Sequence, residues 1–279
     1  MPRAATTRTV EVPGGHLACE IAGASHALPI VLLHQAIADR RVWDRLFSPL
    51  SKKYRVVRYD LRGFGGSTPA EREFSAVDDL RSVIEQLKLE RPLLVGASMG
   101  GRISLDYVVA HPHGARGLVL IAPGFTGMDY PMFPEARPAF DEDERISKAA
   151  MGAYAAGDVD GAIEHLRGLW AAALTGKDLE LFRTMVRENA AEVLAERSAQ
   201  HERPVPVKAA SRLPTLDVPL TVLVGDQDNP AMPHVGRYLV GQVPRARLKT
   251  VPGADHLMNL GSPGVVEEAV DEMFAPAAR

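Results

Sequence analysis

The chain predicts an α/β protein built on a mostly parallel sheet with helices on both faces. Apolar, β-favouring runs recur without the in-out alternation of half-exposed strands, and helix-compatible stretches separate them. The sharpest signal lies at 92–112, PLLVGASMGGRISLDYVVAHP, where Leu93-Leu94-Val95 stops at Gly96. Ser98 follows between small residues, and a helical segment runs from Met99 until His111-Pro112 ends it.

Taken in order, strands are expected at 9–12, 16–22, 29–34, 55–59, 93–97, 117–121, 220–224 and 247–251. Pro13-Gly14-Gly15 makes a hairpin turn between the first two. From Pro29 onward, strands alternate with helices at 39–51, 76–88 and 99–110. Right-handed crossovers bring the ends of parallel strands to one edge, so His34, Asp60, Ser98, Pro123, Asp228 and His256 share it.

The rhythm breaks at 124–206, which opens with proline and aromatics and continues through helix-like stretches near 158–173, 178–189 and 190–200. HERPVPVK from His201 has the composition of a linker. A separate helical domain is the alternative, but 220–251 resumes the strand-helix rhythm without a new start. The expected organisation is therefore a core of 1–123 and 207–279, with 124–206 as a helical cap over the strand edge.

Composition narrows the possibilities. The 279 residues, 46% hydrophobic and 24% charged, suit a globular protein with a full core. A net charge of −3 without a basic block argues against nucleic acid or an anionic membrane as partner. Cys19 is the single cysteine, so no internal disulfide forms, and its apolar neighbours mark it as a core residue. The N-terminal stretch lacks the apolar run of a signal peptide, and no segment is long enough to span a bilayer. A cytoplasmic protein is expected. His111 and His113 have no partners at metal-ligand spacing, and Gly63, Gly65 and Gly66 do not match a dinucleotide fingerprint, so neither metal nor nucleotide cofactor is expected.

A serine on a sharp strand-to-helix turn has its hydroxyl pushed clear of the sheet, and the helix behind it aims backbone N–H groups at any oxyanion formed there. Ser98 is therefore the candidate nucleophile, with Met99 as one oxyanion donor. Serine needs an imidazole to take its proton, and the imidazole needs a carboxylate to hold its tautomer. His256, on the loop after the last strand, is the candidate base. Asp226, Asp228 and Asp255 all lie near enough to serve as the acid, although Asp255 adjoins the histidine and would point away.

VLLHQAIADRRVWD (31–44), VVRYDLRGFGGS (56–67), LLVGASMGG (93–101), LVGDQDNP (223–230) and PGADHLMNL (252–260) together resemble the α/β-hydrolase-fold serine hydrolases. Within that fold they are similar to the group of 3-oxoadipate enol-lactonases, small carboxylesterases and cofactor-free haloperoxidase-like enzymes. The resemblance covers nearly the whole chain. It implies a mostly parallel eight-stranded sheet with a helical cap, and hydrolysis of a carboxylic ester or lactone through an acyl-enzyme without a cofactor. Because the group's acid follows a strand as G-x-x-D, it implies Asp228 rather than Asp226. It also implies Ala36 as the second oxyanion donor, His34 as an organiser of its loop, and Asp60 and Arg62 as structural. Where the group carries His-Gly, this chain has His34-Gln35, so Gln35 either offers its amide to the substrate site or shifts the loop. The same triad serves carbon–carbon bond hydrolysis and perhydrolysis, and a slow ligand sensor of this fold is a further alternative.

Ile163, Leu166, Leu169 and Trp170 have helical spacing, which makes Trp170 a core residue. Residues 128–133 lack that periodicity, so Tyr130 and Phe133 are expected to contact substrate as an apolar wall favouring medium-chain over acetyl esters.

Overall fold

The computed structural model describes residues 5–195 and 197–275. Eight strands, β1 (Thr6–Val12), β2 (Gly15–Ala22), β3 (Pro29–Leu33), β4 (Arg55–Tyr59), β5 (Leu93–Ala97), β6 (Gly117–Ile121), β7 (Leu220–Gly225) and β8 (Ala246–Val251), form one sheet in the order β1-β2-β4-β3-β5-β6-β7-β8. β2 pairs antiparallel with β1 and β4, and every other pairing is parallel. Every residue of β3, β5, β6 and β7 is buried, as their continuous apolar runs require, whereas edge strand β1 is largely exposed.

Helices α1 (Asp44–Ser51), α2 (Ala76–Gln86) and α3 (Met99–Ala110) lie in the N-terminal half, and α9 (Met232–Gln242), α10 (Met258–Gly261) and α11 (Pro263–Phe274) follow β7. Between β6 and β7 the chain is helical, with α4 (Arg137–Ala155), α5 (Val159–Trp170), α6 (Gly176–Glu188), α7 (Ala190–Val193) and α8 (Arg197–His201). α2 packs on α3, α1 on α11, and α4 on α5. No helix among the described residues is long and apolar enough to cross a membrane.

Several elements differ from expectation. The helix expected at 39–51 is a 3-10 turn, Arg40–Trp43, running into α1. Asp39 starts it by accepting the Arg41 N–H at 3.0 Å. The stretch 190–200 is two short helices rather than one. The 19-residue α4 has no counterpart in the sequence reading. Its charge-rich DEDER segment hides the buried positions Phe140 and Ala150 behind a mostly exposed surface.

Strand order places the functional edge. After β4 the chain returns to the far side of β3 to lay down β5. Loops leaving β3 and β5 therefore diverge, and in an open parallel sheet ligands bind in the crevice between them. The loop after β4 is braced behind that crevice: Arg62 donates to both Asp79 oxygens of α2 (2.9 and 2.8 Å), and the Asp60 carboxylate accepts from Arg40 and from the Gly66 N–H.

Candidate active site

Ser98 joins β5 to α3 with φ 50° and ψ −110°, outside the regions that L-residues prefer. The packing on either side imposes this conformation. A Cβ on Gly96 would collide with the Gly100 carbonyl, and one on Gly100 with the Leu33 carbonyl, so glycine at both positions lets helix and strand close up. The Ser98 N–H donates to Ile121 (2.8 Å), and its carbonyl accepts the Arg102 N–H of α3 (3.0 Å). A non-glycine residue held this way carries about 1–3 kcal/mol of strain, which persists only where its surroundings over-determine it.

Most of the two loops at the crevice is buried, but Ala36, Ser98 and Met99 are partly open. Met99 is the first residue of α3, so its N–H has no intrahelical acceptor. Ala36 lies in the turn closed by the Ala38 N–H donating to Gln35 (3.2 Å). His34 braces this loop from beneath. Its Nε2 accepts the Leu61 N–H (2.9 Å), which leaves Nδ1 to donate to the Gln35 carbonyl (2.7 Å). Burial pushes the His34 pKa below its ordinary value, consistent with a neutral strut.

The structure brings Asp228 to His256. His256 Nδ1 lies 3.0 and 3.1 Å from the two Asp228 oxygens, and the two residues are only 3% and 8% exposed. Asp226 is exposed and accepts the Gly253 N–H (2.7 Å), a turn-forming role. The acid and base loops are tied together where the Gln227 N–H donates to Ala254 (2.9 Å). No hydrogen bond reaches His256 Nε2 among the described residues, so this nitrogen is open on the opposite side of the ring.

Two expectations for the substrate site, at Gln35 and Phe133, are corrected, and a third, at Tyr130, falls outside the described residues. Gln35 does not face substrate. It is fully buried, and its amide donates to the His256 carbonyl (3.2 Å) and to Asn259 Oδ1 (2.8 Å), while Asn259 donates back at 3.3 Å. Nor is its backbone left-handed, because its φ is not among the positive values of the described residues. Phe133 does not line an open wall either. It is 3% exposed within a cluster of Phe125, Phe140 and Tyr238, at ring-centroid distances of 6.5, 5.9 and 5.3 Å. Tyr130 begins the turn Tyr130–Met132, and its side chain lies outside the described residues.

The aromatic residue at the site is instead Trp170, whose ring centroid is 4.4 Å from that of His256 at a 48° tilt. Its helical spacing with Leu166 pointed to a core position, but it is the last residue of α5, where the helix meets the histidine loop. Asp143 of α4 was also missed. It shares a stripe with the buried Phe140 and Ala150, is half-buried, and accepts a hydrogen bond from the Ser147 hydroxyl (3.2 Å). Its carboxylate is in electrostatic reach of His256 and Asp228. A single acid on a charge-rich helix carries no sequence signal of that placement.

Burial alone would lower the His256 pKa. The charge and hydrogen bond of Asp228, aided by Asp255 and Asp143, outweigh it and hold the imidazole above its ordinary 6.5. Burial raises the carboxyls of Asp143 and Asp255 in turn. Among the described residues, no three or more His, Cys, Asp or Glu side chains group as a metal site requires.

The α/β hydrolase fold family profile matches residues 29–263, and the chain belongs to that family. It is 35% identical to mouse Protein ABHD14A over 103 residues, which is 35% of this chain and 42% of that protein. The chain thus spans less than half the length of this curated relative. A thermophilic esterase from Thermogutta terrifontis superposes with a TM-score of 0.76 at 24% identity, covering 96% of this chain and 98% of that one. The enol-lactonase from Burkholderia xenovorans LB400 superposes at 0.74, also at 24% identity, covering 96% and 99%. At that identity the two structures share the fold with this chain.

Three outcomes are expected. Gln35→Ala strands the Asn259 amide in a fully buried place, which costs about 1–3 kcal/mol and should appear as a lower urea midpoint. An unchanged midpoint would mean that the amide pair adds nothing. A base must be neutral to accept a proton, so any activity for which His256 is the base should fall as pH drops through the His256 pKa, with the half-point above 6.5. Asp143→Asn removes a negative charge that favours the imidazolium and should move this half-point downward. A half-point at the same pH would exclude Asp143 from the field at His256.

Proposed function

We propose that the protein is a serine hydrolase of carboxylic esters or lactones, with Ser98, His256 and Asp228 as its triad. The observation that carries this reading is His256, buried, with Nδ1 on the Asp228 carboxylate and Nε2 left open, at the same strand edge as the strained, part-exposed Ser98. Ser98 Oγ attacks the carbonyl carbon as its proton passes to His256 Nε2. This transfer needs Ser98 Oγ and His256 Nε2 to come within hydrogen-bond reach once substrate is in place, since catalytic contacts are often long or poorly aligned in unliganded enzymes. Asp228 holds the tautomer with Nδ1 protonated and stabilises the imidazolium.

The Ala36 and Met99 N–H groups donate to the oxyanion of the tetrahedral intermediate. Its collapse expels the alcohol, which takes the proton from Nε2. Water then attacks the acyl-enzyme and gives a proton to His256, and the acid leaves as Ser98 recovers its own. Residues 124–206 act as the cap, and Trp170, rather than Phe133, forms the aromatic wall beside the base.

The charge around the base narrows the substrate class. Asp143, Asp228 and Asp255 surround one imidazole, and none is paired with lysine or arginine among the described residues. Such a field disfavours an acyl group that carries its own carboxylate. Neutral or cationic esters and lactones are the better substrates.

Ser98→Ala should abolish labelling by a fluorophosphonate and lower kcat on a nitrophenyl ester by about 10⁶, the order seen for a triad serine. Asp228→Asn should cost about 10⁴, since an amide holds the wrong tautomer. Asp226→Asn, at an exposed turn, should stay within about threefold. Appreciable turnover by Ser98→Ala would end the proposal. In a series of equal-length nitrophenyl esters bearing a neutral, ammonium or carboxylate terminus, kcat/KM should be lowest for the carboxylate by about tenfold or more, a 1.4 kcal/mol discrimination. A carboxylate ester turned over as well as the neutral one would remove the charge argument.

A further inference from the structure

Of the three acids near the base, Asp255 is the one expected to point away from the imidazole, and both its carboxylate oxygens accept from backbone N–H groups instead. It is 2% exposed. Oδ1 accepts the N–H of Leu257 (2.9 Å), and Oδ2 accepts the N–H of Ala173 (2.9 Å), 82 residues away on the helical segment between β6 and β7. Asp255 and Leu257 flank His256 in sequence, so the first bond closes a tight turn around the base. The second reaches the connection leaving α5, three residues past Trp170. Leu174, one residue on, is buried. The same carboxylate therefore holds both the loop that carries His256 and the chain that carries Trp170.

We infer that Asp255 is a positioning residue: it latches the end of α5 to the histidine loop, so that Trp170 covers one side of the His256 ring. The inference rests on His256 being the catalytic base. With both bonds made, the imidazole is bracketed by Asp228 at Nδ1 and by the indole against its ring, and Nε2 is the edge left for proton transfer. An indole at 4.4 Å is within cation–π range of the imidazolium formed in the transition state. A carboxylate suits the task because both bonds come from backbone N–H donors and an ionised carboxyl accepts on both oxygens. Asparagine at 255 keeps one acceptor and turns an amide N–H₂ toward the other donor, so one of the two ties is lost.

The latch has a signature independent of turnover. An imidazolium against an indole quenches its fluorescence, so Trp170 emission should fall as His256 is protonated between pH 9 and 5. The titrating component should be absent from Trp170→Phe and from His256→Ala. In Asp255→Asn its amplitude should be largely lost and kcat should fall about 10- to 100-fold, the scale of a misplacement near 1 Å at a catalytic group, with KM changing less. Ala173→Pro deletes the donor while leaving Asp143, Asp228 and Asp255 in place, and should reproduce both effects in a protein that keeps all three charges. Circular dichroism on each variant reports whether the fold is retained.

Full titration amplitude with kcat within twofold in either folded variant would overturn the latch, as would a titrating signal that survives in His256→Ala. If amplitude is lost in both variants while the unmodified protein neither turns over esters nor labels at Ser98, the latch stands and the hydrolase reading falls.

Discussion

The site depends on one constraint, the left-handed backbone of Ser98. That conformation is costly for a residue with a side chain, yet it turns the hydroxyl out of a sheet whose neighbouring positions are buried. The cost is borne locally. β5 is fully buried between β3 and β6, α3 begins immediately behind the serine, and bare glycines at 96 and 100 let the helix lie against the strand. The same packing leaves the Met99 N–H pointing out of the helix end. The candidate nucleophile and one candidate oxyanion donor are therefore two consequences of one turn.

Bringing a base to that turn is a harder problem, because β8 lies three strands away from β5. The histidine loop has to run back along the edge and stay there. Backbone bonds between the acid and base loops hold its start, and the buried amide pair of Gln35 and Asn259 holds its far side to the loop after β3. Gln35 gives a reason for the chain's departure from the His-Gly pattern. A glycine there has no side chain to reach the His256 carbonyl, and the negative φ of Gln35 shows that the turn does not need one. The loops after β3 and β8 are thus coupled through a contact that also holds the His256 backbone.

The helical segment completes the surroundings of the imidazole without supplying any of the three candidate triad residues. α4 and α5 pack on each other, and α4 is anchored below by the ring of Phe140 against Phe133. From that platform Asp143 and Trp170 approach His256, one by charge and one by contact. Three carboxylates around one buried imidazole strengthen it as a base at the expense of its acid range, since a raised pKa keeps it protonated to higher pH.

The sequence by itself determined what is local or repetitive. The four central strands β3, β5, β6 and β7 were legible because buried parallel strands read as unbroken apolar runs, and β1 and β2 because a Pro-Gly-Gly turn separates them. The bounds of all eight shifted by three residues at most. The elbow was legible because glycine, serine and glycine at fixed spacing answer a steric demand between a strand and the helix that follows. Once a parallel sheet is inferred, residues just past strands must share an edge, so Ser98 and His256 could be named as candidates from order alone.

Tertiary structure decided everything that depends on which loop leans on which. Spacing alone left Asp226 and Asp228 open and only the resemblance favoured Asp228, whereas the fold shows Asp226 exposed at a turn, Asp228 on the imidazole and Asp255 on the chain leaving α5. Trp170 and Phe133 exchanged their expected roles for the same reason. Periodicity tells that a side chain is inward but not what it meets there, and because α5 ends against the histidine loop its half-buried last residue packs on the imidazole as well as on the core. Asp143 and Asn259 carried no signal at all, because a polar residue gains its meaning only from partners that lie more than a hundred or two hundred positions away in the chain.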